Sequence, residues 1–428
     1  MKNILYLAYA CEPNAGSEYG VGWNIPILYA ERYPDYNVYV LTRSRCKEKI
    51  QQELCRLNIP NLHFLFYDIP RWLFYNKEIG SNWGEQINYL LWQILVRKFI
   101  KKQHKNIHFD LIHHITFNQY RTPSPGFFFN IPFVMGPIGG AETINPCFYQ
   151  DLQVNTIRKE RIRQQGRDLK IFGWWCKRRN NTKYFLFSSK ENLNRIGKYC
   201  DSYPIQLLPA IAFTPKDFPD ISDGLKQAST NFQLIYAGKA LDWKGIHIFL
   251  KAVRIAYIQN NVTDFSIKLV GIRFEEEQRQ VMKWVEDLGL RDHVELIPFI
   301  QRKELLKLLE DCNLSVYPAF RDSGSMSVLE ASVLGCPTIC FNTGGQDAFP
   351  DSVLLKVDVA DSYENTLNDF AGKLRWAYEH MDQVSIIGKK AQKYVYEELT
   401  WEKKVEIFHQ IYQNLICKRP ILTSCPKV

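Results

Sequence analysis

The chain has 428 residues, of which 46% are hydrophobic and 23% are charged. This length allows two domains, each with its own core, and the composition excludes a disordered or fibrous protein. No apolar run approaches the ~18–20 residues that span a bilayer, and the apolar stretch at the start is too short for a signal peptide. The 11 cysteines are scattered, without a Cys-x-x-Cys pair. We therefore expect reduced thiols in the cytoplasm and no zinc site.

Positive charge exceeds negative charge, giving a formal net charge of +9. The excess is greatest in residues 158–179, where nine basic residues accompany only Glu160 and Asp168. Such a run usually forms a solvated helix face, and it also suits contact with an anionic substrate or a membrane surface. We expect no nucleic-acid partner, because no helix-turn-helix, zinc-finger or RNA-binding signature accompanies the charge.

Short apolar and β-branched runs alternate with amphipathic stretches through most of the chain. The predicted strands are, in order, NILYLAY, NVYVLTR, LHFLFYD, DLIHHIT, PFVMG and YFLFSS, then FQLIYAG, FSIKLVG, HVELIPF, NLSVYPA and PTICFN. Helical patterns separate them, for example at residues 243–259, 275–288 and 303–309. This alternation predicts an α/β fold with two doubly wound, Rossmann-like domains, each a parallel sheet with helices on both faces.

A proline-rich stretch with weak periodicity, residues 204–224, divides the two sets of strands and is typical of a linker. We therefore place an N-terminal domain at residues 1–205 and a C-terminal domain at residues 206–399. The last segment, residues 400–417, begins with a threonine that can cap a helix. We predict that this helix crosses back onto the first domain through an apolar stripe formed by Val405, Phe408, Ile411 and Leu415.

Three loops of the first half follow predicted strands, at the sheet edge where ligands bind. In EPNAGSEYGVGWN, Gly16 permits close approach of a ligand to the backbone, or only a tight turn. The strand DLIHHIT ends in His113 and His114; since adjacent strand residues point to opposite faces, at most one faces a cleft, and we favour His114. The segment GPIGGAE, residues 136–142, either lines an acceptor site or serves only as a turn.

In the second half, Lys239 and Lys244 follow the strand FQLIYAG and precede a helix. Two ammonium groups at a helix start would bind and neutralise a diphosphate. The alternative is that both lysines are solvated in a turn, which is the usual state of a single lysine.

The segment RDSGSMSVLEASVLG changes from a polar loop to an apolar helix. If Ser325 or Ser327 caps the helix, the amides of Ser325, Met326 and Ser327 are free to bind an anion. Asp322 in the loop and Glu330 in the helix would then reach hydroxyl-bearing groups on either side of a phosphate. The alternative is a simple capping arrangement in which both acids are ordinary surface charges.

Four segments, in chain order, resemble motifs of the family 4 glycosyltransferases, also called glycosyl transferases group 1, which have the GT-B fold. They are EPNAGSEYGVGWN, DLIHHITF, YAGKALDWKGIHIFLKA and FRDSGSMSVLEASVLGCPTICFNTGG. The resemblance implies two domains that face each other across a cleft. It also implies a retaining enzyme that moves a sugar from a nucleotide-diphosphate sugar to a glycan or lipid-linked acceptor.

The resemblance also assigns roles on the donor side. Lys239 and Lys244 would bind the diphosphate together with the amides of residues 325–327, and Lys244 would support the departing nucleotide. Glu330 would bind the ribose hydroxyls, and Asp322 the hydroxyls of the transferred sugar. The chain departs from the family pattern twice, because the family more often has Arg at position 239 and Glu at position 322.

On the acceptor side, the resemblance implies a catalytic role for His114 and a ligand contact at Gly16, where the family usually has two glycines. No Asp-x-Asp occurs in the chain, so we expect metal-independent transfer, with no cofactor besides the donor substrate. Two other functions stay open. One is a GT-B-like phosphorylase or nucleotide-sugar hydrolase, and the other is a non-catalytic basic module that binds a membrane or polyanion.

Two stretches of the first half combine aromatic and basic residues. INYLLWQILVRKFIKKQHK has apolar residues at positions 87, 90, 91, 94, 95 and 99 with basic residues near its end, and IFGWWCKRR follows later. Such stripes are usually core. They also suit a peripheral contact with the inner face of a membrane.

Overall fold

The computed structural model describes residues 1–73, 83–179, 181–218 and 231–417. These residues form two parallel β-sheets covered by helices, as the sequence predicts. The first sheet has seven strands in the order β3-β2-β1-β4-β5-β6-β7. Its strands are β1 (Lys2–Leu7), β2 (Tyr36–Thr42), β3 (Leu62–Phe66), β4 (Leu111–His114), β5 (Phe133–Ile138), β6 (Lys183–Phe187) and β7 (Ile205–Leu207). The helices of this half are α1 (Ser17–Arg32), α2 (Lys47–Leu54), α3 (Trp83–Ile107), α4 (Val154–Gln164), α5 (Arg167–Cys176) and α6 (Lys190–Ile196).

The second sheet has six strands in the order β10-β9-β8-β11-β12-β13. Its strands are β8 (Phe232–Ala237), β9 (Phe265–Val270), β10 (Val294–Ile297), β11 (Leu314–Tyr317), β12 (Thr338–Phe341) and β13 (Leu355–Val357). The helices are α7 (Ile246–Ala256), α8 (Glu275–Asp287), α9 (Arg302–Asp311), α10 (Met326–Val333), α11 (Tyr363–Glu379), α12 (Met381–Glu398) and α13 (Trp401–Ile416). The last four residues of β1 and all four residues of β11 are buried, as expected for strands covered by helices on both faces.

Two edge strands were not predicted. β7 lies in the segment that we interpreted as a linker, and β13 lies outside every predicted strand. Each has three residues, which is too short for a pattern of alternation to be recognised. Residues 219–224 of the predicted linker lie outside the described part of the chain.

The C-terminal helix α13 returns to the first sheet. Thr400 caps it as predicted, since its side chain accepts a hydrogen bond from the amide of Lys403 at 3.2 Å. All residues of the predicted stripe are buried, in one cluster with residues of β1, β2 and α1. The return of this helix to the first domain is therefore confirmed.

The two chain segments that cross between the domains bind each other. The backbone of Phe213 pairs with that of Leu399 and Trp401, through two hydrogen bonds of 3.1 Å. Lys404 is 2% exposed, and its Nζ donates to the carbonyl oxygens of Pro209 and Ile211, at 2.7 and 3.0 Å. The two crossings thus form one joint, with a buried lysine side chain inside it.

One segment of the first half packs in the core of the second. Ile144, Phe148 and Leu152 are buried in a cluster with residues of the second sheet. The ring of Phe148 stacks on that of Phe320, with 3.9 Å between their centroids. Residues 144–152 therefore precede the linker in sequence but contribute to the second core, so the second half is covered in part by the first.

Candidate active site

The turn after β8 brings Lys244 to the carboxyl end of β11. Residues Asp242–Lys244 form a 3₁₀ turn, and Gly245 follows with φ of +73° at the start of α7. A Cβ at Gly245 would lie 2.0 Å from the carbonyl oxygen of Pro318, so this close approach requires glycine. Lys239, earlier in the same connection, is exposed, and its contact with a phosphate stays a prediction.

Lys244 belongs to a polar cluster with Tyr317 and Asp322. Its Nζ lies 2.8 Å from the Tyr317 hydroxyl oxygen and forms an ion pair with Oδ2 of Asp322. The Tyr317 hydroxyl donates to the same carboxylate oxygen. Burial, and then the neighbouring Asp322 carboxylate, raise the pKa of Tyr317 well above its usual range, so that it stays a neutral donor. Sequence reasoning missed Tyr317, although it lies in the predicted strand NLSVYPA and is the last residue of β11.

The loop that carries Asp322 rests on two glycines that follow β12. The amide of Gly345 donates to the carbonyl oxygen of Asp322 at 2.6 Å. Gly344 has φ of +59°, and a Cβ there would lie 2.2 Å from the same oxygen. The Asp322 carboxylate also accepts from the amide of Gly324 at 3.2 Å. The glycine pair in FNTGGQD therefore allows the close packing that fixes this loop.

Helix α10 begins at Met326, directly beyond the loop. Ser325 is the N-cap residue, but its hydroxyl donates to the side-chain oxygen of Gln346 at 3.0 Å and makes no bond to the helix. The hydroxyl of Ser327 donates to the carbonyl oxygen of Ala237 at 2.9 Å. The predicted serine cap was wrong, because both hydroxyls serve tertiary contacts. The Met326 amide donates to the carbonyl oxygen of Gly324 at 3.1 Å, so it is not free as predicted. No side chain caps the first turn, and such a helix start attracts anions.

Glu330 lies in the second turn of α10, and Oε1 accepts from Nε of Arg302 at 3.0 Å. Its side chain is 13% exposed, whereas that of Arg302 is 49% exposed. Arg302 is the first residue of α9, which follows β10. The pair therefore joins the helix that bears Glu330 to the loop at the carboxyl end of β10, at the same edge of the sheet as the cluster around Lys244.

His113 and His114 end β4 on opposite faces, as expected for neighbours in a strand. The ring of His113 contacts the Tyr412 hydroxyl on α13, while Nε2 of His114 lies 3.3 Å from the Tyr89 hydroxyl on α3. Both side chains are at most 1% exposed, and burial lowers the pKa of His113 to about 3 and that of His114 to about 4. Neither ring therefore faces an open cleft, contrary to the expectation for His114. Its catalytic role stays a prediction that would require neighbouring side chains to move.

Gly16 precedes α1, and a Cβ at this position would meet no atom within 4 Å. No contact within the described protein therefore requires glycine here, and its contact with a ligand stays a prediction. Gly20 and Gly22 differ, because a Cβ on them would lie 2.4 and 1.9 Å from the carbonyl oxygens of Ala15 and Ala10. These two glycines serve the packing of α1 on the loop before it.

The loops at the carboxyl edges of the two sheets touch. The amide of Gly140, in the loop after β5, donates to Oγ of Ser323 at 3.2 Å. Arg321 in the loop after β11 forms an ion pair with Glu160 on α4. Sequence reasoning saw Glu160 only as one of the two acids in the basic run, and no sequence pattern indicated that it contacts the donor-side loop.

The described residues contain no group of three His, Cys, Asp or Glu side chains that could hold a metal ion. No helix in those parts of the chain is long and apolar enough to cross a membrane. None of the ten cysteines of the described residues forms a disulfide, and seven of them are buried.

Comparison with known proteins agrees with this geometry. Residues 217–350 match the family described as Glycosyl transferases group 1. A D-inositol 3-phosphate glycosyltransferase of Paenarthrobacter aurescens is 23% identical over 192 residues, and the match covers 44% of this chain and 45% of that protein. The chain thus matches less than half the length of this relative.

Two solved structures are similar over nearly the whole chain. Sucrose-phosphate synthase from Thermosynechococcus elongatus is 16% identical with a TM-score of 0.61, covering 98% of this chain and 100% of that one. Anabaena HepE, solved in complex with UDP and glucose, is 13% identical with a TM-score of 0.57, covering 96% of this chain and 99% of that one. At such identities the likeness shows the fold alone.

The fold and the site together define a GT-B protein, with two Rossmann-like domains whose carboxyl edges meet at a polar cluster. More particularly, its second half carries the match to the group 1 glycosyltransferases, and that match includes Lys244, Asp322 and Glu330.

Proposed function

We propose that this protein is a retaining glycosyltransferase that moves a sugar from a nucleotide-diphosphate sugar to a glycan or lipid-linked acceptor, without a resident metal ion. One observation carries the proposal: Lys244, which pairs with Asp322, and the start of α10, which follows the Asp322 loop without a side-chain cap, lie at the same edge of the second sheet. The names of the similar proteins agree with glycosyl transfer, since one acts on D-inositol 3-phosphate and another was solved with UDP and glucose.

The chemistry of the donor side follows from these groups. The Lys244 ammonium and the first-turn amides of α10 would stabilise the charge that develops on the departing diphosphate, which is the main contribution this site can make. Asp322 would accept hydrogen bonds from the sugar, and Glu330 from the ribose. Lys239 is close enough in sequence to add a second positive charge, but as lysine it lacks the two-pronged contact of an arginine.

The acceptor would lie against the loops of the first sheet, namely the loop of Gly16, the end of β4 at His114 and residues 136–142. The last of these contacts the donor-side loop directly, through the hydrogen bond between Gly140 and Ser323. An acceptor held there would be next to the sugar that Asp322 binds. Attack from the face that the nucleotide leaves would retain the configuration and needs no carboxylate nucleophile.

The first test is a thermal-shift screen with UDP, GDP, ADP and their sugars. A ligand at 100 times its Kd stabilises the folded protein by about 2.7 kcal/mol, which gives a clear shift. Glu330→Ala and Lys244→Ala should lose the shift and the transferase activity while remaining folded. If no nucleotide binds the wild-type protein, the proposal fails.

Product analysis with the donor alone then identifies the reaction. A transferase should turn the donor over slowly until an acceptor is added. Rapid release of free sugar to water, or of sugar phosphate when inorganic phosphate is present, would instead identify a hydrolase or a phosphorylase.

We also propose that the first half contacts the inner face of a membrane. On α3, the buried face contains Trp92, Val96 and Ile100, whereas Leu90 and Ile94 are each 41% exposed. None of the six positions of the stripe predicted from the sequence is fully buried: 87, 90 and 94 are exposed, and 91, 95 and 99 are half-buried. Lysines follow it on the same helix.

An exposed aromatic side chain of α5 lies near this face. Trp174 of α5 is 58% exposed, and Arg97 of α3 and Arg178 after α5 both lie over the ring of Phe128, at 3.7 and 5.0 Å. The two helices are therefore neighbours, and together they present apolar and basic side chains, a combination that suits anionic lipid.

Flotation with vesicles of phosphatidylglycerol and phosphatidylcholine tests this contact. Leu90→Glu and Trp174→Glu should each abolish flotation, whereas Ile386→Glu, on an exposed apolar residue of α12 in the other half, should not. Absence of wild-type flotation at low salt would exclude the membrane contact and leave the transferase proposal unaffected.

A further inference from the structure

Both neighbours of Asp322 are held by the first half of the chain. Arg321, on one side, pairs with Glu160 of α4. Ser323, on the other side, accepts a hydrogen bond from the Gly140 amide. The carboxylate between them pairs with Lys244 of the second half. The backbone that carries the donor-side acid is therefore fixed from both halves.

The Glu160 carboxylate is held in place by several partners. Its side chain is 1% exposed, and its carboxylate accepts from Arg321, from Nε of Arg163 at 3.3 Å and from the amide of Ile144 at 3.2 Å. A buried carboxylate is tolerated only with such partners, and loss of one leaves an uncompensated charge. The pair with Arg321 is therefore maintained whenever the two halves are docked as they are here.

Arg321 also touches the turn that bears the lysine. Its guanidinium lies 5.7 Å from the centre of the Trp243 ring, and the amide of Phe320 donates to the Trp243 carbonyl oxygen at 2.9 Å. Trp243 directly precedes Lys244. A change in the position of Arg321 would therefore reach both members of the ion pair between Lys244 and Asp322.

We propose that Glu160 and Arg321 are positioning residues of the donor site. Glu160, from the acceptor half, holds Arg321 so that Asp322 and Lys244 keep the arrangement that binds the nucleotide diphosphate. The donor site is then complete only when the two halves are docked through α4. This inference rests on the proposed function, and it adds that the first half contributes to donor affinity without touching the donor.

The test uses the full chain and calorimetric titration of UDP, GDP and ADP. The tightest of the three is then titrated into Glu160→Gln, Arg321→Gln and the double variant. Each single change should weaken binding by ~10-fold, in the middle of the range for coupled neighbours. The double variant should be no weaker than the worse single one, because both changes break the same contact.

Asp151→Asn is the matched control. Asp151 also belongs to the segment of the first half that docks on the second, and its carboxylate is 3% exposed and binds His247, Lys251 and Tyr363. None of these partners is in the Asp322 loop. Asp151→Asn should therefore lower the melting temperature but leave the Kd within twofold of wild type.

The outcomes separate positioning from general docking. Arg321→Lys keeps the positive charge and should recover part of the nucleotide affinity that Arg321→Gln loses. Comparison of these two variants tests the positioning role even if Glu160→Gln does not fold. Unchanged Kd in the Glu160 and Arg321 variants, or an equal loss in Asp151→Asn, overturns the inference while leaving the proposed function standing. A wild-type chain that binds none of the three nucleotides overturns both.

Discussion

Replacement of Lys244 by methionine gives the sharpest test of the donor site. The side chain keeps its length but loses the ammonium, which lies 2.8 Å from the Tyr317 hydroxyl oxygen and pairs with Asp322. Asp322 then retains only the Tyr317 hydroxyl and the Gly324 amide as partners. The side chain of Lys244 is 18% exposed and that of Asp322 is 23% exposed. The contribution of this ion pair to stability should therefore lie between those of exposed and of buried ion pairs. We expect a loss of about 1–2 kcal/mol in the free energy of unfolding.

The effect on the reaction should be much larger than the effect on stability. A single preorganised donor to a developing negative charge contributes about 10²–10³-fold to kcat, which corresponds to about 2.7–4 kcal/mol. Lys244→Met should therefore lower kcat by that factor, measured as release of nucleotide diphosphate from the donor with acceptor present. Circular dichroism and thermal melting should show a folded protein.

Lys239→Met is the matched control, because Lys239 lies in the same connection between β8 and α7 but is exposed. We expect a loss of no more than about 10-fold for this variant, as for one screened surface charge. Equal losses for the two lysine variants, or a Lys244→Met protein with more than a third of the wild-type rate, would refute the assignment of the diphosphate site to Lys244.

Three further predictions concern other parts of the molecule. Glu330→Gln should weaken binding of UDP by ~10-fold or more, because a charged acceptor for the ribose hydroxyls is lost; titration of 2′-deoxy-UDP should show that the variant no longer prefers the ribose form. Thr400→Ala should lower the free energy of unfolding by about 1 kcal/mol in urea denaturation, with Thr400→Ser close to wild type. Burial lowers the pKa of Lys404 to about 7, while in the unfolded chain it is about 10.4. Between these two pKa values the unfolded state binds more protons than the folded state. The free energy of unfolding should therefore rise with pH in this range, by up to ~1.4 kcal/mol per pH unit. Lys404→Met should flatten this slope, and an unchanged slope would contradict a buried, neutral lysine.

The sequence predicted the long strands of both sheets correctly. Central strands such as β1 and β8 are buried on both faces, so their apolar runs are continuous and recognisable. The three-residue edge strands β7 and β13 escaped prediction because only hydrogen bonds to a neighbouring strand define them. The buried stripe of α13 was also readable, since helical periodicity alone indicates which side chains need a partner.

The functional side chains were less predictable than the elements that bear them. Asp322 and Lys244 stand out in the sequence because they lie between a predicted strand and a helix, and Glu330 because it lies early in the helix that follows the Asp322 loop. The hydroxyls of Ser325 and Ser327 are of the right type for a helix cap, yet both bind other parts of the fold. Local preference for capping is worth about 1 kcal/mol, and a tertiary hydrogen bond of the same strength can replace it.

What the sequence determined by itself was the alternation of strands and helices, the two sheets and the edge at which charged loops gather. Only the tertiary structure decided that Glu160 binds Arg321, that Tyr317 stands between Lys244 and Asp322, and that His114 is buried. The physical reason is that periodicity and turn chemistry act between residues close in the chain, whereas a buried charge finds its partner wherever the packing of separate elements brings one within reach.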